Sequence, residues 1–179
     1  MHPCLVIRHG LAAAPAAGGV DADRPLSAEG ATEMEQIAAG LAVLQRPPQV
    51  VVSSPYRRAV ESARKVAAAF GGVTVETDAG LAAGADPEQL LAVVAAHCAG
   101  DRGGVAVVGH EPDLGRFVSL ALAGAGRSFC ALRQGAACLL EFPAVPRAGN
   151  ATLEWALEPA QLLAVAAAAP ARAGRRRAG

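Results

Sequence analysis

Three short runs gather the residues best suited to chemistry. Arg8-His9-Gly10, Ser53-Ser54-Pro55-Tyr56-Arg57-Arg58 and Gly109-His110-Glu111 each follow a short apolar segment. Brought to a single spot, they would supply two histidines and two or three arginines. The planar fork of an arginine matches the oxygens of a phosphoryl group and can hold two of them at once. An imidazole among such cations has its pKa pulled down, stays neutral and can attack phosphorus through nitrogen. A glycine beside that imidazole, as at Gly10, lets backbone approach closely. The chemistry indicated is phosphoryl transfer through a histidine.

Such residues act together only if the chain brings them to one place. Cys4-Leu-Val-Ile7, Gln49-Val-Val-Val52 and Val105-Ala-Val-Val108 read as buried strands, and Val73-Thr-Val-Glu-Thr77 alternates like a fourth. The stretch through Ala17 to Asp23 is small, polar and loop-like. Ser27 is placed to cap a helix with Met34, Ile37, Leu41 and Leu44 on one face, ended by Arg46-Pro47-Pro48. A second helix carries Ala59, Ala63, Val66, Ala67 and Phe70 and closes at Gly71-Gly72. Asp86-Pro87 opens a third, with Leu90, Leu91, Val93 and Val94 inside. Asp113 is placed to cap a fourth, which runs to Gly124. Ala136 to Phe142 and Ala151 to Leu157 read as an antiparallel pair, with Leu153, Trp155 and Leu157 sharing a face. Pro159 to Ala169 is a last short helix. Strand and helix thus alternate before a β-rich end, which predicts an α/β sandwich with a mostly parallel sheet and a reversed strand or two. Ligands of such sheets bind outside the carboxyl ends of the strands, where the three runs fall.

The runs also resemble a known family. Arg8-His9-Gly10 after a first strand is similar to the signature of the histidine phosphatase superfamily, which includes the phosphoglycerate mutases. Arg24-Pro25-Leu26-Ser27 with Gly30 resembles its R-P-L-[ST]-x-x-G loop. Ser54-Pro55-Tyr56-Arg57-Arg58-Ala59 resembles its S-P-x-x-R-A motif, with Ser62 where Thr is more usual. Val108-Gly109-His110-Glu111-Pro112 resembles its second-histidine motif. The motifs keep the family's order between residues 5 and 120. Gly135-Ala136 and Leu153-Glu154-Trp155 are similar to the small bacterial members of the SixA type.

The resemblance implies a three-layer α/β/α sandwich of the phosphoglycerate mutase-like kind, with antiparallel strands near its C-terminal part. It implies His9 as a nucleophile that is transiently phosphorylated on a ring nitrogen. Arg8 and Arg58 would hold the non-bridging oxygens and stabilise the transition state. His110 would donate a hydrogen bond to the transferring group, and Arg24 would reach the substrate from its loop. The implied enzyme is a metal-independent phosphatase with no cofactor. Beside these, Arg57 is expected in a surface ion pair, His97 at a helix end and His2 at a plain terminus. Glu111 would either orient His110 or serve the helix start.

The family's usual acid is missing. Asp78-Ala-Gly-Leu-Ala-Ala-Gly-Ala-Asp86 has Gly80 before Leu81 where the family often has Glu, and its only carboxylates are Asp78 and Asp86. The stretch from Arg58 to His110 is also too short for an extended lid. An alkoxide leaving group needs a proton in the transition state, and that help is worth about 10²–10⁴-fold. Phosphohistidine can depart as neutral imidazole once its ring is protonated. The lack therefore favours a SixA-like phosphatase acting on a phosphohistidine-bearing protein. Hydrolysis of a small-molecule or sugar phosphate, or a non-catalytic phosphoprotein-binding module, is the alternative; a mutase fits less well.

Composition narrows the setting. The 179 residues imply one domain, expected over 1–170 with a basic flexible tail at 171–179. A 53% hydrophobic share and 18% charge exclude a solvated, disordered chain. The 44 alanines, against six aromatics and the single lysine Lys65, suit helices packed closely on a sheet. Sixteen basic and sixteen acidic residues balance, so a broad nucleic-acid footprint is not expected. No apolar run approaches the roughly 18 residues that span a bilayer, and no leader is evident, so the expected location is the cytoplasm. Cys4, Cys98, Cys130 and Cys138 lack metal-site spacing and read as free thiols.

Overall fold

Six strands form one sheet in the order β3-β2-β4-β1-β5-β6, in a computed structural model that describes residues 1–98, 104–125 and 127–169. At its centre β1 (His2–Arg8) lies parallel to β4 (Val105–Gly109), which pairs in parallel with β2 (Val50–Ser53); β2 in turn pairs with β3 (Thr74–Thr77). The central strands are runs of buried Val, Leu and Ile because both their faces are covered. On the other side β5 (Ala137–Phe142) runs antiparallel to β1, and β6 (Thr152–Leu157) antiparallel to β5. Only β5 therefore opposes the common strand direction.

Alternate residues of each strand feed two cores. Leu5, Ile7, Val51, Ala106 and Val108 face α1 (Ala28–Leu44), α2 (Arg57–Ala69) and α5 (Pro159–Ala168). Cys4, Val6, Val52, Val105 and Val107 face α3 (Pro87–His97) and α4 (Asp113–Ala123). The result is a three-layer α/β/α sandwich. The alanine-rich composition has a local use here, since Ala38, Ala59, Ala63 and Ala67 are buried on the faces of α1 and α2. Gly40 goes further: a Cβ there would run into the Leu162 carbonyl where α5 crosses α1.

The β1–β4–β2 register sets the position of the site. Arg8 pairs with Gly109 and Ser53 with Val108, so the three strands finish level. His9, Ser54 and His110 are the next residues, at one edge.

Several expectations need correction. Asp113 does not cap α4; Pro112 holds that position, and the Asp113 carboxylate accepts the Gly84 N–H at 2.8 Å. Leu153 does not share a face with Trp155 and Leu157. A register shift opposite Leu139/Leu140 sets Leu153 against Leu140, and the inserted residue reverses its direction. Leu44 sits in the last turn of α1 and is 38% exposed, beside an open groove with Pro3 and Pro48. His2 belongs to β1, opposite Phe142. The basic run at 171–179, and so the expected domain boundary, lies outside the described residues.

Candidate active site

The loop after β1 is fastened before any side chain acts. The His9 N–H donates to Gly109 O at 3.2 Å, and the Gly135 N–H to the carbonyls of both Arg8 and His9. The Gly10 N–H donates to Ser62 Oγ at 3.1 Å, and that hydroxyl donates to Arg58 O at 2.8 Å. Ser62, conspicuous in the sequence only as a departure from Thr, thus ties the histidine loop to the first turn of α2. Gly30 lets α1 press on the same loop, since a Cβ there would strike the Leu11 carbonyl.

His9 is 5% exposed, and its ring is oriented from both ends. Nδ1 lies 2.7 Å from Gly10 O, which can only accept, so Nδ1 carries the proton. Nε2 therefore keeps its lone pair and accepts from Arg58 Nε at 3.2 Å. Burial chiefly lowers the His9 pKa, to about 4; Arg58, Arg8 and Arg24 add to this against the Gly10 hydrogen bond. At neutral pH the ring is an unprotonated nitrogen nucleophile beside fixed cations.

His110 is 3% exposed and sits 4.9 Å from His9 between ring centroids. Its Nε2 lies 2.7 Å from Ser54 Oγ, and its Nδ1 3.5 Å from Arg58 Nη2. Burial, followed by His9 and Arg58, pulls its pKa to about 3. The Ser54 hydroxyl can accept from or donate to Nε2, and so can support either tautomer. Arg58 Nη2 can only donate, which makes Nδ1 the acceptor there and leaves the ring proton on Nε2, donated to Ser54 Oγ. The Tyr56 ring meets His110 edge-on at 4.9 Å and lies 5.0 Å from the Arg58 guanidinium.

Arg8 donates to Leu132 O at 2.7 Å, while its buried Nε has no partner. Burial lowers its pKa, and Glu111 opposes that shift. Arg24 donates through Nε and Nη2 to Ala13 O and through Nη1 to Asp21 Oδ1. A cavity of about 210 Å³ is lined by Arg8, His9, Ala12, Arg24, Arg58, Ala83, His110, Glu111 and Gln134. All five residues singled out for catalysis or substrate binding therefore meet around one cavity.

Other residues fall elsewhere. Glu111 neither orients His110 nor caps α4; its Oε1 accepts the Leu132 N–H at 2.8 Å, and among the described residues it is the one carboxylate lining the cavity. Asp86 is exposed at the N-cap of α3, and Asp78 accepts the Gly80 N–H; neither lines the cavity. Arg57 pairs with Glu61 at 2.8 Å. His97 ends α3, bonded to Val93 O and 3.3 Å from Glu76. All four cysteines are free. Among the described residues, no group of three or more His, Cys, Asp or Glu side chains could hold a metal ion.

Sequence reasoning missed Asp21 and Gln134, and gave Ser54 no role of its own. A carboxylate three residues before Arg24 was the available signal for Asp21. Nothing local marks Gln134, whose place depends on the loop before β5.

Comparison with known proteins gives three results. The family model for the histidine phosphatase superfamily (branch 1) matches residues 4–83. An uncharacterized protein of Picosynechococcus sp. (strain ATCC 27264 / PCC 7002 / PR-6) is 34% identical over 110 residues, 62% of this chain and 67% of that protein. Among solved structures, the protein histidine phosphatase SixA complexed with tungstate superposes with a TM-score of 0.78 at 25% identity, covering 89% of this chain and 99% of SixA. The mycobacterial glucosyl-3-phosphoglycerate phosphatase shares the fold at a TM-score of 0.63 and 19% identity, covering 86% and 97%.

Proposed function

The chain belongs to the histidine phosphatase superfamily, and from that premise we propose that it is a phosphatase working through a phosphohistidine on His9, with phosphohistidine-bearing protein as its substrate. The observation that carries the reading is the His9 ring. Its proton is held on Nδ1 by Gly10 O, and its Nε2 lone pair is turned to Arg58 in an arginine-rich cavity.

In the first step His9 Nε2 forms a bond to phosphorus as the bond to the leaving group breaks. Arg8 and Arg58 neutralise charge gathering on the non-bridging oxygens. His110 donates to one of them once the phosphoryl oxygens draw Arg58 Nη2 away from its Nδ1 and the ring takes its other tautomer, with Ser54 donating to Nε2. In the second step water attacks the phosphorus, the bond to Nε2 breaks, and His9 returns to its starting state with release of inorganic phosphate.

The leaving group decides the substrate class. Asp78 and Asp86 stand away from the cavity, so neither is placed to protonate an alkoxide. A protonated phosphoimidazole leaves neutral and needs no such acid. One observation favours a second reading, hydrolysis of a small phosphate ester: Glu111 lines the cavity with one oxygen beyond the Leu132 N–H. The fold does not choose between the two, since SixA and the glucosyl-3-phosphoglycerate phosphatase share it.

The test is a substrate panel of a phosphohistidine carrier protein and p-nitrophenyl phosphate, with trapping of an acid-labile phosphoenzyme. The proposal expects faster turnover of the phosphohistidine protein. His9→Ala should lose at least about 10³-fold in kcat and form no phosphoenzyme. Preference for the ester, abolished by Glu111→Gln, would establish the second reading. Phosphoprotein binding with no turnover would leave only a binding module. We further propose metal independence, so that chelator leaves the rate unchanged. A cytoplasmic setting belongs to the same reading and is supported by the four unbridged cysteines. No helix among the described residues is long and apolar enough to cross a membrane.

A further inference from the structure

We propose that Asp21 is the positioning residue of this site: it grips the outer end of the Arg58 guanidinium, so that the adjacent edge of the fork is presented to His9 and His110. The inference rests on the phosphatase reading above.

The hydrogen bonds divide the guanidinium into two edges. On the edge made by Nε and Nη2, Nε donates to His9 Nε2 at 3.2 Å, and Nη2 lies 3.5 Å from His110 Nδ1. On the edge made by Nη1 and Nη2, both partners belong to Asp21: Nη1 donates to its carbonyl at 2.8 Å and Nη2 to its Oδ2 at 2.9 Å. A phosphoryl group arriving at the histidines therefore meets the first edge, and Asp21 keeps the second. Asp21 is itself anchored. Its Oδ1 accepts from Arg24 Nη1 at 2.8 Å, and its carbonyl also accepts the Arg24 N–H at 3.2 Å. Arg24 is in turn held by Ala13 O. The loop carrying Asp21 and Arg24 is joined to α2 a second time, where Glu61 accepts the Leu26 N–H at 2.7 Å.

The alternative role for a carboxylate here, that of proton donor, is disfavoured. Arg24 first, then Arg58, hold the Asp21 carboxyl below its ordinary range, so it is charged at neutral pH. What a fixed anion can supply is direction. An arginine on a flexible three-carbon stem stabilises a transition state only while its donors point at the developing charge, and misplacement by about 1 Å can cost about 10²-fold.

The test compares Asp21→Ala, Asp21→Asn and the control Asp23→Ala, whose side chain is exposed on the same turn. Expected for Asp21→Ala is a ten- to hundredfold fall in kcat, with inhibition by inorganic phosphate changed less than about threefold, because the cations remain. Asp21→Asn, which keeps an oxygen for Nη2, should recover most of the rate, and Asp23→Ala should match the parent. A readout independent of turnover is the Arg58 Nε–H signal in ¹⁵N NMR, slow to exchange in the parent and fast in Asp21→Ala. An Asp21→Ala protein with parental kcat, an Asn variant no better than the Ala variant, or an unchanged Arg58 signal would each overturn the proposal. A parent protein that turns over no substrate would instead overturn the phosphatase reading, and the NMR comparison would still decide the role of Asp21.

Discussion

Two histidines buried within 4.9 Å of each other are held neutral by their surroundings, and this gives the site a defined response to acid. In the unfolded chain each would titrate near its ordinary value of about 6.5. In the fold the values fall to about 4 for His9 and about 3 for His110. Below pH 6.5 the unfolded chain therefore takes up protons that the folded chain refuses, and stability falls as pH drops toward about 4. The urea midpoint should decrease between pH 7 and pH 5, and decrease less in His9→Ala. A midpoint that rises with acid would contradict this. Activity should not share the loss, since His9 stays a free base across that range. The profile of kcat/KM for p-nitrophenyl phosphate should therefore show no inflection from His9 near pH 6.5.

At the level of elements, close approach is the recurrent device. α5 lies on α1 only because position 40 has no side chain to meet the Leu162 carbonyl. Gly40→Ala should force the two helices apart and cost about 1–3 kcal/mol, read as a fall of several degrees in Tm. Position 40 lies far along α1 from the end that touches the histidine loop, so kcat should stay within about twofold of the parent. A Tm equal to the parent's would mean that the contact yields without cost. Most of these elements were legible beforehand. Buried β-branched runs, Ser27 and the Gly71-Gly72 pair placed strands, a cap and a stop close to where they are found. Asp113 and Leu153 were misread for a common reason. A capping residue can be drawn off by a distant donor such as the Gly84 N–H, and a bulge changes face without leaving a mark on alternation.

Across the whole molecule, charge and size carry the functional argument. The balance of sixteen basic and sixteen acidic residues conceals a segregation: Arg172, Arg175, Arg176 and Arg177 lie together near the end, leaving twelve basic against sixteen acidic before them. Within that acidic body Arg8, Arg24 and Arg58 line one cavity. If residues 1–170 are the working domain, as we propose, a chain ending at Pro170 should keep the parent's Tm within about 2 °C and its turnover of p-nitrophenyl phosphate. Loss of either would assign a structural or substrate-binding role to the basic run.

The sequence alone determined the chemistry and the scaffold: a neutral histidine among arginines, set at the ends of buried strands in an α/β sandwich. It could do so because nucleophile, arginines and strand cores are each written in contiguous residues. Tertiary structure alone decided how those groups are aimed. Which nitrogen of His9 is free depends on the Gly10 carbonyl, Ser54 takes its role from a partner 56 residues away, and Asp21 meets Arg58 across 37. Such pairings form only when the level ends of β1, β2 and β4 bring separate loops together, so no local pattern records them.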